Sequence, residues 1–303
     1  MSKEVSGKKT TNALITIYKR LKYLVNGHRI KKKCYDEDFI PELNLYLFYW
    51  KYGNSTKDPF LKEAENIGDY LSKVVVTYMV QKHNLTMSQR SGKTLYAIGS
   101  ILGMRCQNAV VWGSGLINTQ KLRLVNAKIS NMDICAVRGP KTREELLKIG
   151  KKCPPVYGDP AVLMPKVFSP EKLEKKHKIT LILHYANENI QIPSHIDFNI
   201  ISPISTDYRH FITEICQSEL VISSSLHGII LAETYGIPAI LLLPDETKSF
   251  KYEDWYHSTD RYEIRYARSV EEALQLSPMP LPELSAMQDR LEKAFPYYLW
   301  DQK

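Results

Sequence analysis

Short apolar runs that favour buried strands alternate along this chain with stretches whose apolar residues recur at helical spacing. Strands that alternate with helices pair in parallel, so the pattern predicts an α/β fold. For the first half, the pattern predicts strands at 43–50, 94–98, 109–112 and 134–137, and helices at 74–80 and 141–149.

The alternation starts again after residues 165–178, which are rich in proline and charge and which we interpret as a linker. A chain of 303 residues accommodates two domains. We assign residues 34–168 to the first domain and 169–303 to the second, and we expect the last helix to cross back to the first. For the second half, the pattern predicts strands at 179–184, 196–201, 220–222, 237–240 and 263–266, and helices at 208–216, 226–235, 270–276 and 284–295.

Most of the positive charge lies at the N-terminus. Residues 1–33 hold ten Lys or Arg and one acidic residue, Glu4, whereas the whole chain has a net charge of +8. The apolar residues of this segment fall on one helical face, which predicts a basic amphipathic helix that either lies on an anionic membrane surface or packs on the first domain. We expect no nucleic-acid binding, because no basic stripe with interleaved aromatic residues continues past residue 33.

No apolar stretch approaches the about 18 residues of a membrane span, and the first residues lack the apolar core of a signal peptide. These features predict a cytoplasmic protein that is peripheral on the inner face of the cell membrane. The cysteines have no paired metal-ligand spacing and an odd number, so we expect reduced thiols and no metal site. They are Cys34, Cys106, Cys135, Cys153 and Cys216.

The densest group of reactive side chains follows the strand predicted at 220–222, where Ser223, Ser224 and Ser225 precede His227 at the start of a helix. A helix N-terminus presents unpaired N–H groups and the positive end of its dipole, which suit a phosphate or carboxylate. An imidazole there can give and take a proton. The structural alternative is that Ser223 or Ser224 only caps the helix and that His227 is a turn residue.

Other polar turns also end predicted strands, and the carboxyl ends of parallel strands are where such sheets bind ligands. Each turn has a structural alternative. The glycine turns could only reverse the chain, Asp69 could cap a helix, and Arg138 could pair with Glu144 or Glu145. The turns are Asn66-Ile-Gly68-Asp69, Gly113-Ser114-Gly115, Arg138-Gly-Pro-Lys-Thr142 and Gly158-Asp159-Pro160.

In this order, and with Gly-Ile-Pro after His227, these motifs resemble the polysaccharide pyruvyl transferase family over about residues 66–255. The resemblance implies a glycosyltransferase B-like fold, in which two Rossmann-like domains face each other across a cleft. It implies transfer of pyruvate from phosphoenolpyruvate to a sugar of a surface polysaccharide as a ketal. It implies no metal and no cofactor besides this donor.

Ketal formation requires a proton for the methylene carbon of the donor, attack by two sugar hydroxyls and loss of phosphate. We assign His227 as the acid, Asp69 as the base and Arg138 as the group that holds the donor's anionic groups. Substrate binding is predicted for Asn66, Gly68, Gly113, Ser114, Gly115, Asp159, Ser223, Ser224, Ser225 and Lys251.

The chain departs from the family at one position. Some members carry an arginine two positions before the histidine, where this chain has Ser225. Lys251, in Lys-Tyr-Glu-Asp-Trp, or another basic residue replaces this charge, or the donor is different; the structural alternative for Lys251 is an ordinary exposed lysine.

Two other functions stay open at this point. A nucleotide-sugar-dependent glycosyltransferase would place its diphosphate at the same helix N-terminus. A non-catalytic, membrane-associated subunit of a polysaccharide assembly complex would keep the fold without the chemistry. For the pyruvyl transferase, the expected partners are phosphoenolpyruvate and a glycan acceptor, and an acceptor linked to polyprenyl diphosphate would suit the basic N-terminal helix. The sequence predicts no oligomeric state.

Overall fold

The apolar runs of the first half form one sheet in the computed structural model, which describes residues 38–51, 64–87, 91–104, 108–119, 132–184 and 190–300. The strands lie in chain order, and every pair is parallel except the first, which is antiparallel. The basic segment predicted at 1–33, Cys34 and Cys106 lie outside the described residues. The strands are β1 (Phe39–Ile40), β2 (Leu45–Phe48), β3 (Thr94–Tyr96), β4 (Ala109–Trp112) and β5 (Met132–Ala136).

Helix α1 (Ile67–Lys82) connects β2 to β3 and begins earlier than the predicted 74–80. Its N-cap is Asn66, whose side chain accepts a hydrogen bond from the backbone N–H of Gly68 at 3.1 Å. Asp69 therefore lies inside the first turn, and the alternative that it caps the helix is wrong. Asn66 caps the start of α1 at the carboxyl edge of the first sheet. The N-terminus of the helix therefore lies at the edge where β2 ends.

The second half forms another five-stranded sheet, in the order β10-β9-β8-β6-β7, with every described pair parallel. After β6 the chain moves to one side of the sheet, and after β8 it moves to the other. The loops that follow these two neighbouring strands separate, which creates the crevice where open α/β sheets bind ligands. The strands are β6 (His177–Ile182), β7 (Asn199–Ile200), β8 (Ser218–Ser223), β9 (Ala239–Leu242) and β10 (Tyr266–Ala267).

The helices of the two halves confirm the alternation and change several predicted bounds. Helix α4 has the predicted range, whereas α3 and β6 occupy the two ends of the predicted linker 165–178. Helix α6 was not predicted, and β7 is much shorter than 196–201. The helices are α2 (Pro140–Lys148), α3 (Met164–Val167), α4 (Tyr208–Cys216), α5 (Leu226–Thr234), α6 (Phe250–Ser258), α7 (Val270–Ala273) and α8 (Ser285–Lys293).

Helix α8 packs against the first sheet although it belongs to the C-terminal part of the chain. The indole Nε1 of Trp112, at the end of β4, donates to the carbonyl of Leu291 at 2.8 Å. Glu292 pairs with Lys82 of α1 at 2.7 Å and also with Lys166 of α3. No helix within the described ranges is both long and apolar enough to cross a membrane.

We predict that Trp112→Phe destabilises the protein by about 1–3 kcal/mol, because it leaves the buried Leu291 carbonyl without its donor. Trp300→Phe is the matched control, since the Nε1 of Trp300 is buried without a hydrogen-bond partner and its loss breaks no bond. Urea unfolding of both variants measures the difference. Equal destabilisation by the two substitutions would contradict the role of the Trp112 bond.

Candidate active site

The imidazole of His227 is buried in the first turn of α5, directly after the serine turn that follows β8. Its Nε2 lies 3.5 Å from Oδ2 of Asp159, and neither atom has a hydrogen-bond partner. The other oxygen of Asp159 accepts from the backbone N–H of Ala161 at 3.0 Å, which holds the carboxylate in place. The Gly158-Asp159-Pro160 turn therefore directs a buried carboxylate oxygen at the histidine and does more than reverse the chain.

Gly68 brings the N-terminus of α1 against the same imidazole. A Cβ added at Gly68 would lie 1.9 Å from Nδ1 of His227, a distance that no side chain tolerates. Two helix N-termini, those of α1 and α5, therefore converge on His227, and both contribute the positive ends of their dipoles. This contact connects the first half of the chain to the second at the candidate acid.

Asp69 lies one residue further along α1, and Gly99 allows it to come close to the end of β3. A Cβ at Gly99, which has φ +113°, would lie 2.5 Å from Oδ1 of Asp69. Burial raises the pKa of the Asp69 carboxyl to about 7; nearby Asp159 adds to the rise, while the charges of His227 and Lys251 oppose it. This carboxyl therefore titrates near neutral pH, where a general base is most effective.

Lys251 enters the site from the first turn of α6 and is partly buried. Burial is the main reason that the pKa of its amine falls to about 8; Arg138 lowers it further, and Asp69 opposes the fall. The amine is 4.8 Å from the ring centroid of Tyr252. The structure thus places the amine of Lys251 near the candidate base Asp69, and its predicted contact with a substrate stays a prediction.

His184 was missed by the sequence analysis as a site residue. It follows β6, and its backbone N–H donates to the hydroxyl of Ser224 at 2.9 Å. Burial and the positive charges of Lys251, Lys248 and His227 lower the pKa of its imidazole to about 3, so that the ring is neutral at physiological pH. The signal was a histidine at the end of a predicted parallel strand, at the same edge as His227.

Arg138 is fully buried, and each nitrogen of its guanidinium donates to the protein. Nε bonds to Oδ2 of Asp254 at 3.1 Å, Nη1 to Ser100 Oγ at 2.6 Å and Nη2 to the Leu116 carbonyl at 2.6 Å. None of these bonds goes to Glu144 or Glu145, which pair with Lys148 instead, so the alternative pairing of Arg138 with either glutamate is wrong. The predicted contact of Arg138 with the donor stays a prediction.

Asp254 is the centre of what we call the clasp, which consists of Arg138, Thr142 and Asp254. Besides the arginine, its carboxylate accepts from the backbone N–H of Thr142 at 2.8 Å and from Thr142 Oγ1 at 2.6 Å. Thr142 lies in α2, whereas Asp254 lies in α6 between Lys251 and the end of that helix. The clasp therefore joins the two halves of the chain and sets the position of the helix that carries Lys251.

The polar groups of the Gly113-Ser114-Gly115 turn donate hydrogen bonds to backbone carbonyls of the protein. The backbone N–H groups of Gly113 and Gly115 donate to the carbonyls of Ala136 and Gly99 at 2.9 and 3.1 Å, and Ser114 Oγ donates to that of Ala97 at 3.1 Å. The Gly113 and Gly115 amides are therefore not available to a ligand. A Cβ at Gly115 would lie 2.5 Å from Cζ of Arg138, so this turn makes room for the clasp.

Two of the three serines before His227 also hold the local structure. Ser223 Oγ donates to the Ile182 carbonyl and accepts from the Ser225 N–H, both at 3.0 Å, and Ser224 Oγ accepts from His184. The N-cap of α5 is Ser225, whose side chain makes no capping bond, so the alternative that Ser223 or Ser224 caps the helix is wrong. Ser225 is the serine at the position where some family members have arginine.

We predict that Asp254→Ala destabilises the protein by about 3–5 kcal/mol, because it leaves the guanidinium of Arg138 buried without its counter-charge. Glu253→Ala is the matched control in the same helix: its partner Lys141 and Glu253 itself are partly exposed, so we expect a cost below about 1 kcal/mol. Denaturant unfolding measures both. Similar costs for the two variants would rule out the clasp as the dominant contact between α2 and α6.

We predict that Asp69→Asn raises the Tm relative to the wild type and that the gain grows as the pH rises from about 4 to about 7. The folded protein holds the Asp69 proton more tightly than the unfolded chain, so the wild type loses stability over this window and the amide variant does not. Asp245→Asn is the control with the opposite sign: hydrogen bonds from Thr247 and Lys248 lower the pKa of that carboxyl, so the substitution should lower the Tm by an amount that stays constant above about pH 4. Calorimetric scans across pH test this, and a gain that does not depend on pH would contradict it.

A sequence model of the polysaccharide pyruvyl transferase family matches residues 27–246. The succinoglycan biosynthesis protein ExoV of Rhizobium meliloti (strain 1021) is 32% identical over 130 residues, which are 41% of this chain and 39% of that protein. The alignment thus spans well under half of that relative's length. No solved structure matches this chain. The family match covers more than half of the chain and includes the turns that surround His227, and the chain therefore belongs to the polysaccharide pyruvyl transferase family.

Proposed function

We propose that this protein transfers pyruvate from phosphoenolpyruvate to a sugar of a surface polysaccharide, or of its lipid-linked repeat unit, and forms a pyruvate ketal. Family membership supports pyruvyl transfer to a polysaccharide. The observation that carries the finer proposal is the buried pair of His227 and Asp159 at the N-terminus of α5, with Asp69 and Lys251 beside it. This group supplies an acid, a base and a cation in one place.

The donor's phosphate and carboxylate fit the positive side of this site. The N-termini of α1 and α5 and the amine of Lys251 all attract anions. Arg138 contributes positive potential from within the clasp, although its guanidinium already bonds to protein groups. In this proposal Lys251 replaces the arginine that some relatives carry at the position of Ser225.

His227 and Asp69 together can give and take every proton that the reaction moves. His227 protonates the methylene carbon of phosphoenolpyruvate, and the first sugar hydroxyl attacks the neighbouring carbon while Asp69 takes the hydroxyl proton. The second hydroxyl then displaces phosphate and gives its proton to the neutral His227, and Asp69 returns its proton to the phosphate. Asp159 acts as a positioning residue, because its unpartnered Oδ2 lies 3.5 Å from Nε2 and can accept a hydrogen bond from a protonated Nε2.

The arrangement of the sheets supports a glycosyltransferase B-like architecture with domains 34–168 and 169–303. The carboxyl edge of the first sheet supplies Asp69, and the switch point of the second supplies His184 and His227. Helix α8, which packs on Trp112, is the proposed element that crosses back. A lipid-linked acceptor at the inner face of the membrane rests on the basic sequence of residues 1–33.

Calorimetric titration with phosphoenolpyruvate tests the donor assignment. We expect the wild type to bind it and Lys251→Met to bind it at least about tenfold more weakly, because the substitution removes the cation and keeps the length of the side chain. Lys148→Met is the control; Lys148 is exposed and pairs with Glu144 and Glu145 at 2.7 and 2.8 Å. Tight binding of a nucleotide sugar by a protein that ignores phosphoenolpyruvate would instead make it a glycosyltransferase.

The same titration has an expected pH dependence. Lys251 loses its charge as the pH rises through about 8, so the Kd for phosphoenolpyruvate should increase from there upward. In Lys251→Arg the guanidinium stays charged, and we expect the Kd to remain flat over this range. A wild-type Kd that does not change between about pH 7 and about pH 10 would show that the charge of Lys251 does not contribute to phosphoenolpyruvate binding.

A further inference from the structure

A second polar group lies at the same edge of the first sheet, one residue before the cap of α1. Glu65 is fixed where the two halves of the chain meet, because its carbonyl accepts from the N–H of Ser205 at 2.9 Å. The next residues, Asn66 and Ile67, form a bridge to Ile204 and a hydrogen bond to the Pro203 carbonyl at 2.7 Å. The position of Glu65 is thus set by backbone contacts between distant parts of the chain.

The carboxylate of Glu65 has one bonded oxygen and one unpartnered oxygen. Oε1 accepts from the hydroxyl of Tyr49 at 3.4 Å, whereas Oε2 is buried and has no hydrogen-bond partner. A buried acceptor without a donor costs free energy, and native proteins rarely keep one without a reason. Oε2 is therefore an acceptor that suits a donor brought by a ligand.

The charges around Glu65 indicate which kind of hydrogen-bond donor fits Oε2. Burial raises the pKa of Glu65, while the positive charges of Lys51 and Lys73 oppose the rise. Because the charges of Lys51 and Lys73 offset part of the cost of burying this carboxylate, its ligand need not carry a positive charge, and the carboxylate repels an anion. A neutral hydroxyl satisfies Oε2 without adding charge beside the carboxylate.

Two partly buried tyrosines complete the surroundings. Tyr70 lies in the first turn of α1, and Tyr208 opens α4 directly after the 203–205 loop. Burial raises the pKa of Tyr70, and the charges of Glu65 and Tyr208 raise it further. Tyr208 is three residues from Ser205, whose N–H bonds to the Glu65 carbonyl. A carboxylate among phenol rings offers apolar faces and a fixed acceptor, the combination that orients a polyhydroxylated ligand.

The group is also close to the candidate catalytic residues. Gly68, which contacts His227, is three residues from Glu65, so their Cα atoms are at most about 11 Å apart. Tyr49 directly follows β2, at the carboxyl edge that also holds Asp69. We propose that Glu65, with Tyr49, Tyr70 and Tyr208, forms a subsite for a neutral sugar of the acceptor, in which Oε2 accepts a hydrogen bond from a ring hydroxyl.

This inference rests on the proposed function, which makes the bound sugar a part of the acceptor. The predicted sugar binding can nevertheless be measured without any catalytic turnover. A subsite with a buried acceptor should discriminate strongly between a sugar that has the hydroxyl and the deoxy analogue that lacks it. Loss of the carboxylate should weaken sugar binding and leave the affinity for phosphoenolpyruvate unchanged, because the donor anion binds at the helix N-termini and Lys251.

The test is saturation-transfer NMR of the full chain with methyl glycosides of glucose, galactose, mannose and their 2-acetamido forms, with and without phosphoenolpyruvate. We expect at least one glycoside to bind and Glu65→Gln and Glu65→Ala to weaken it about ten- to a hundredfold, with a Kd for phosphoenolpyruvate within about twofold of the wild type. Glu42→Gln is the control, because Glu42 is an exposed carboxylate that lies 4.0 Å from Lys73. Thermal unfolding confirms that each variant is folded.

Two results would overturn the subsite: no glycoside of the panel binds the wild type, or the Glu65 variants bind it as tightly as the wild type does. A protein that fails to bind phosphoenolpyruvate but loses sugar binding in the Glu65 variants would contradict the proposed donor and leave the subsite standing. The two proposals therefore fail in different measurements.

Discussion

The clasp between Arg138 and Asp254 is the interaction on which the rest of the site depends. Both side chains have no exposed surface, and such a pair is stable only when its remaining hydrogen-bonding groups are satisfied. Thr142 and the Leu116 carbonyl supply these partners. Gly139 permits the close approach, since a Cβ there would lie 1.8 Å from the Asp254 carbonyl oxygen. Because α6 carries both Asp254 and Lys251, the clasp also determines where the cation of the site lies.

The pKa values of the site residues depend on how far neighbouring charges offset the loss of solvation on burial. Asp69, Lys251 and His184 all lose solvation, which disfavours the charged form of each, and the neighbouring charges decide how far each titration moves. Asp69 and Lys251 partly stabilise each other and titrate near neutral pH, whereas His184 lies beside other cations and stays neutral. The site thus holds a base and a cation whose charges both change near physiological pH.

Sequence patterns predicted the elements whose ends coincide with a local signal. Strand β4 has the predicted range because a continuous apolar run ends at Gly113, whose φ of +94° continues no strand. Helix α4 has the predicted range because Asp207 caps it. Helix α6 was missed because its buried face includes Asp254, a residue type that a hydrophobicity pattern assigns to the surface.

The sequence by itself determined the alternating α/β pattern, the strand ends at which polar residues collect, and the family to which the order of the motifs points. Only the tertiary structure decided which of these polar residues meet. It placed Arg138 in the clasp, brought Gly68 against His227 and directed Asp159 at the imidazole. The physical reason is that periodicity reports which face of an element is buried. The partner that compensates a buried charge comes from a distant segment, and its identity depends on how the two halves of the chain pack together.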